Sequence, residues 1–344
     1  MRQYLRRLSR RPVLAGVLIV TIVALAARFA GLGFRMMHWD EGRVGYRILQ
    51  YAASGEWSYN PYVHGPFLFH VNKYIFQMFG ATDFIARFVV ALVGGLLPLS
   101  ALLLRKRLKP AGTVGLALVL AVNPILLYYS RFMRNDVLVA GFSLIAFGAF
   151  VYAIDERDPL YVHGGIIALA LAFTTKENAV KYVGIWIGAL ALTIDHRLFR
   201  RREAWPIVKR GGRKILDQAW EWRRHLAIAV LEFFVIIVYF YAPRPDLWIA
   251  FSNPSHFPGV IETATLGSWE KFMNSWGSGA HQKHPYLPFL KDYIKTLRAG
   301  AMATIMLGVG GFVYDRYTGE GHEPIVEFAG YWAGASFLLY PLAS

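Results

Sequence analysis

Apolar residues run in long unbroken stretches along this chain, and the polar residues gather between them. Stretches able to cross about 30 Å of hydrocarbon fall near 12–34, 84–104, 112–129, 137–154, 161–175, 179–194, 226–242, 299–314 and 325–342. The pattern predicts about nine transmembrane helices. Small residues inside these runs, such as Gly94-Gly95, Gly164-Gly165 and Gly310-Gly311, suit close helix packing in lipid; barrel strands would alternate polar with apolar. Composition agrees with an all-α polytopic membrane protein. Of 344 residues, 56% are hydrophobic and 17% charged, and the mean hydropathy of +0.36 exceeds what a soluble domain needs.

The formal charge of +15 raises nucleic-acid binding, but the basic residues sit in three places that explain it otherwise. Arg2, Arg6, Arg7, Arg10 and Arg11 precede the first run. Arg105, Lys106, Arg107 and Lys109 follow the second. Arg197, Arg200, Arg201, Arg202, Lys209, Arg210, Arg213, Lys214, Arg223 and Arg224 lie between the sixth and seventh. Alternation of the spans puts all three on one face, and the positive-inside rule makes that face cytoplasmic. The expected protein is a multi-pass cell-membrane protein with a cytoplasmic N-terminus and no nucleic-acid partner. The basic loop 196–225 is placed against anionic headgroups, whereas the acidic segment 155–160 on the same face neither supports nor opposes this topology. Ala24-Leu25-Ala26 resembles a cleavage site, but the apolar run continues to Phe34, so the first segment reads as a retained anchor.

Two large loops fall outside, 35–83 and 243–298, beside the short loops 130–136 and 176–178. The first has amphipathic pieces at 42–53 and 66–79, expected to lie on the membrane surface. The second has six prolines with Trp248, Trp269 and Trp276 interleaved and reads as short surface helices in irregular backbone. The chain stops at Ser344 just after the ninth run, so a missing C-terminal part is one expectation. With no cysteine, disulfides, thiolate metal sites and thiol nucleophiles are excluded. No repeat, Walker loop or GxGxxG is present, which argues against a built-in nucleotide domain.

The outside loops carry the candidate chemistry. Asp40 and Glu41 follow the first span, and carboxylates so close to hydrocarbon suggest a lined cavity; a solvated acid is the alternative. Arg131, Arg134 and Lys176 place three cations on the face that the positive-inside rule leaves poor in them. They suit a phosphate or diphosphate, with Arg as a bidentate fork and Lys as a point charge. Pairing with Asp136, Glu177, Asp40 or Glu41, or snorkelling to headgroups, stays open. His64 is held in the rigid turn His64-Gly65-Pro66, ahead of His70. Asp40, Glu41 and His64 could offer oxygen and imidazole to a divalent metal, though the spacing is no metal signature. His256, His281 and His284 are weaker candidates.

Four segments carry a family resemblance: HWDEGRVGY from His38, YVHGPFLFH from Tyr62, YYSRFMRNDVL from Tyr128 and AFTTKENA from Ala172. In this order they resemble the GT-C superfamily of membrane glycosyltransferases, which includes the dolichyl-phosphate-mannose protein mannosyltransferases. They look most like its archaeal and bacterial branch of flippase-activity-associated proteins from N-glycosylation clusters. The resemblance covers 1 to about 195 well and the remainder in topology. It implies a GT-C fold with extracytoplasmic surface helices and a sugar moved from a polyprenyl-phosphate donor to a protein or lipid acceptor. Asp40 would be the general base and Glu41 its assistant. Arg131, Arg134, Lys176 and His64 would hold the donor phosphate, with Asp136 and Glu177 in support. Moving lipid-linked sugars across the bilayer without transfer is the alternative, and a non-catalytic assembly subunit a third reading.

Overall fold

The computed structural model describes residues 2–200, 205–277, 286–317 and 324–339. The chain forms two compact units, one of 1–179 with 227–280 and the other of 180–226 with 281–344. Residues Arg201, Arg202, His281 and His284 lie outside the described residues.

In the first unit, α1 (Arg2–Phe29) leads to α2 (Trp39–Ser54) and α3 (Phe67–Phe79). Next come α4 (Asp83–Leu96), continued by a 3-10 segment to Leu104, then α5 (Pro110–Val122), α6 (Pro124–Tyr129), α7 (Asp136–Glu156) and α8 (Leu160–Thr175). The chain passes through α9 (Ala179–Asp195) and α10 (Trp205–Glu221) of the second unit. It returns as α11 (Arg223–Tyr241) and the short α12 (Asp246–Ser252), α13 (Phe257–Glu262) and α14 (Ser268–Phe272). The second unit closes with α15 (Tyr286–Tyr317) and α16 (Pro324–Leu339).

Among the described residues each apolar run falls mainly on helix, and five helices combine the length and hydropathy of a membrane span: Pro12–Phe29, Asp83–Leu104, Asp136–Glu156, Arg223–Tyr241 and Tyr286–Tyr317. The third run is broken at Asn123-Pro124. Proline cannot donate to the helix, and the Asn123 side chain accepts from the backbone N–H groups of Ile125 and Leu126 (both 3.1 Å), starting α6 afresh. Arg28, a cation inside the first apolar run, is fully buried and donates to the Ala121 (3.0 Å) and Leu120 (3.1 Å) carbonyls at the C-terminal end of α5. It supplies positive charge where that helix leaves carbonyls unsatisfied.

Small residues let the helices approach as expected in part. Gly94 faces Ser130, Gly95 faces Leu25, and Gly165 lies under the Phe150 ring; Gly164, Gly310 and Gly311 have open space. The acidic segment after α7 finds partners in the basic loop after α4. Lys106 pairs with Glu156 (2.8 Å) and Arg107 with Asp155 (2.5 Å). The two large loops are stitched together, because Trp57 and Arg244 exchange both backbone hydrogen bonds (3.1 and 2.8 Å). Tyr59 packs beside them into an apolar cluster with Tyr241, Leu247 and Val260.

Buried His70 fixes α3 to this assembly. The Phe240 carbonyl, 2.9 Å from Nε2, can only accept, so Nε2 carries the proton and Nδ1 accepts from the Tyr51 hydroxyl at 3.0 Å. Burial, then the Arg244 charge, lower the imidazole to about 3. The unfolded chain takes up this proton near the ordinary value of 6.5, so His70 lends full stability above that pH and loses it progressively down to about 3. Thermal midpoints should fall between pH 6.5 and 4, at up to about 1.4 kcal/mol per pH unit from this residue. A His70→Gln variant should flatten that slope; an unchanged slope would remove His70 as its source.

Candidate active site

The acidic pair opens α2 by capping it. His38 Nδ1 accepts from the Asp40 N–H at 3.2 Å, and the Glu41 carboxylate accepts from the His38 N–H at 3.0 Å, two otherwise orphaned donors satisfied reciprocally. Neighbours on a helix diverge by about 100°, and the two carboxylates accordingly enter different surroundings.

Glu41 is fully buried. It accepts from Arg87 Nε (2.8 Å) and Nη2 (3.1 Å), from Arg35 Nη2 (2.6 Å) and from the Met133 N–H (2.9 Å), besides the His38 N–H. Burial alone would raise this carboxyl. The hydrogen bonds from Arg87, His38 and Met133, with the Arg87 charge, outweigh it and hold the group at about 2. Arg87 is itself fully buried and donates onward to the Leu32 (2.9 Å) and Arg35 (3.0 Å) carbonyls. Glu41 therefore ties α2, α4, the end of α1 and the Met133 turn into one piece.

Asp40 keeps 27% of its side chain exposed, with Arg134 Nη1 at 3.0 Å, His38 Nδ1 at 3.7 Å and Arg43 Nη2 at 3.8 Å. Arg134 Nε also lies 3.6 Å from Asp136, and Asp136 accepts from Lys176 Nζ at 2.7 Å. Charges from three loops thus alternate in one row: Arg43, Asp40, Arg134, Asp136, Lys176. A narrow cleft at the Asp40 end is lined by Asp40, Arg43, His64, Met133, Arg134 and Asn135.

His64 lines that cleft and a second cavity of about 400 Å³ that also includes Arg47, Tyr51, Trp57 and Asn60. Its Nδ1 is 3.7 Å from Glu177, whose other oxygen accepts from the Tyr59 hydroxyl at 2.6 Å. Burial and then the Glu177 charge push the Tyr59 phenol up, so it stays protonated as that donor. His64 adopts φ +66°, ψ −168°, a backbone region costing about 1–3 kcal/mol for a residue other than glycine. The next residue explains why the turn is held so. A Cβ on Gly65 would strike the Thr174 carbonyl and the Thr175 backbone, which packs the His64 turn directly on the Lys176 loop. Gly65→Ala should lower the thermal midpoint, by about 1–3 kcal/mol in stability. An unaltered midpoint would mean that the two loops separate freely.

Of the residues expected at a donor phosphate, the structure brings together Arg134, Lys176 and His64, with Asp136 and Glu177 between them. Arg131 goes elsewhere: Nη1 donates to Ala27 O (2.8 Å) and Nη2 to Gly31 O (3.2 Å), capping the end of α1. The metal set of Asp40, Glu41 and His64 does not assemble, because Glu41 turns into the Arg87 cluster and His64 towards Glu177. Among the described residues no group of three His, Cys, Asp or Glu side chains could hold a metal ion. Sequence reading passed over Arg35, Arg43, Tyr59 and Arg87; a lone cation within an apolar run, as Arg87 is, was the available signal.

Residues 63–209 match the family model of the dolichyl-phosphate-mannose-protein mannosyltransferases. A comparison with curated protein sequences finds no significant match. Two crystal structures of ArnT from Cupriavidus metallidurans share the fold. The one bound to undecaprenyl phosphate superposes with a TM-score of 0.61 at 20% identity, over 95% of this chain and 55% of that one. The apo state gives 0.52 at 20% identity, over 93% and 59%. The chain thus spans somewhat over half the length of the structures it matches. The chain therefore combines helices long and apolar enough to cross a membrane with the fold of these ArnT structures, and it matches the mannosyltransferase family model over 63–209.

Proposed function

We propose that the protein transfers a sugar from a polyprenyl-phosphate donor to an acceptor hydroxyl or amide on the extracytoplasmic face, with Asp40 as general base. The observation that carries this reading is the row of charges. A partly exposed carboxylate stands at a cleft beside two cations that, among the described residues, pair with carboxylates an incoming phosphate can replace. Support comes from the fold shared with an ArnT structure that holds undecaprenyl phosphate and from the family match over 63–209, which includes His64, Arg134 and Lys176.

In this mechanism the donor phosphate draws Arg134 and Lys176 from Asp40 and Asp136, which frees an Asp40 oxygen. That oxygen takes the proton of the acceptor as its oxygen or nitrogen attacks the anomeric carbon. The bond from that carbon to the phosphate oxygen breaks, and its electron pair leaves with the phosphate. Arg134 and Lys176, with His64 beside them, meet the growing negative charge, so no second acid is needed at the leaving group. Glu41, with its acceptor sites filled, positions α2 instead of assisting the base. Arg131 caps α1 and stays outside the donor site. The charges that a headgroup path through the bilayer would use are already engaged: Arg28 by carbonyls and Glu232 by His163 at 2.9 Å. This favours transfer over translocation.

The test is release of polyprenyl phosphate from a labelled polyprenyl-phosphate hexose by purified protein in lipid, with protein and lipid acceptors present. Acceptor-dependent release that added undecaprenyl phosphate inhibits is the expected result. Folded protein that releases none with either acceptor class would overturn the reading.

A further inference from the structure

The helix α10 takes no part in the site, and among the described residues nothing in its own unit covers its apolar face. At about 100° per residue, Trp205, Ile215, Leu216 and Trp220 fall on one side, with Lys209 among them and Arg213 at the seam, and Arg210 and Lys214 fall on the other. Such a face normally packs on a core, yet Leu216 is 70% exposed and Trp220 73%. At 17 residues, with charge throughout, the helix is no membrane span.

We propose that α10 lies flat in the surface of an anionic lipid leaflet, its apolar face among the upper acyl chains and its cations on headgroup phosphates. Three further observations select lipid as the occupant. Apolar helices stand close on both sides in the chain: α9 ends at Asp195, and α11 begins two residues after Glu221, so both ends of α10 are tethered at a membrane face. Tryptophans stand at both ends of the helix, where the membrane interface favours them, and Arg223 lies 5.3 Å from the Trp220 ring. The charge also matches: residues 196–225 carry ten Lys or Arg against three Asp or Glu, and basic residues near an anionic leaflet are each attracted about fivefold. A basic amphipathic helix with aromatic residues on its apolar face is the pattern that binds in the interface plane. The inference is independent of the transferase reading.

The chain has no cysteine, so Leu216→Cys and Lys214→Cys each carry the sole thiol, at exposed positions that leave the fold intact. The full-length variants, labelled with an environment-sensitive fluorophore, are reconstituted in phosphatidylcholine vesicles with and without phosphatidylglycerol. With the anionic lipid, the Leu216 label should be quenched by a spin-labelled lipid and protected from aqueous acrylamide, and the Lys214 label the reverse. Without it, lipid quenching of the Leu216 label should fall severalfold. Replacing Lys209, Arg210, Arg213 and Lys214 by Gln alongside Leu216→Cys should remove the dependence on lipid charge. A Leu216 label open to acrylamide in anionic vesicles would overturn the proposal. So would one shielded from both quenchers, which would mean that protein covers the face, or one indifferent to lipid charge.

Discussion

Glu41→Gln is expected to destabilise the folded protein by about 3–5 kcal/mol, the usual consequence of removing one partner from a buried ion pair. Arg87 and Glu41 both have fully buried side chains. Glutamine keeps one acceptor oxygen but turns an NH2 group towards guanidinium groups that can only donate. Arg35, 39% exposed, can return to water and adds little; the uncompensated charge of Arg87 cannot. The effect has a defined pH window. Because the folded carboxyl sits at about 2 against an ordinary 4.5, its contribution is complete above about pH 4.5 and is lost as pH falls towards 2. Thermal unfolding in detergent at pH 7 and pH 3 checks both parts. The wild type should lose more than half of this stability between the two, and the variant should already lack it at pH 7. Equal midpoints at pH 7 would dissolve the anchoring role of this pair.

That role marks where reading the sequence stops. The apolar runs were legible because hydrocarbon thickness sets a length that few other demands impose, and the HWDEG segment stood out because two acids beside a membrane need a reason. The division of labour inside that segment was not legible. Asp40 and Glu41 are adjacent, but the partner that buries Glu41 is Arg87, 46 positions further on, and nothing local announces it. Arg131 and Arg134 look equivalent in sequence; only the turn between them sends one to the α1 carbonyls and the other to Asp40. The segment 155–160 gave no help with topology because counting charges per loop ignores partners, whereas Lys106 and Arg107 make its acids part of a paired surface. His64 was singled out for its imidazole, yet the backbone contact of Gly65 with Thr174 is what brings it to the Lys176 loop. In each case the missing information is the pairing of distant residues, which periodicity and composition do not encode.

Asp40→Asn should separate chemistry from folding. Asparagine keeps the length and one acceptor oxygen for the Arg134 bond at 3.0 Å but cannot take a proton. Removal of a positioned general base costs about 10²–10⁴ in rate. The carboxylate is partly exposed, and Arg134 retains Asp136 at 3.6 Å, so the thermal midpoint should change by less than about 1 kcal/mol in stability. Transfer and unfolding measured on the same preparation decide among the outcomes. Loss of transfer with an unchanged midpoint makes Asp40 the base. Loss of both would assign it a structural duty like that of Glu41. Full activity would end its candidacy and move the search to Asp136, the next carboxylate along the same row, which sheds its Lys176 partner if that cation turns to the donor phosphate. Asp40→Glu sharpens the choice. A carboxylate displaced by one methylene should recover part of the lost rate if proton transfer is the defect, and none if the side chain only holds Arg134 in place.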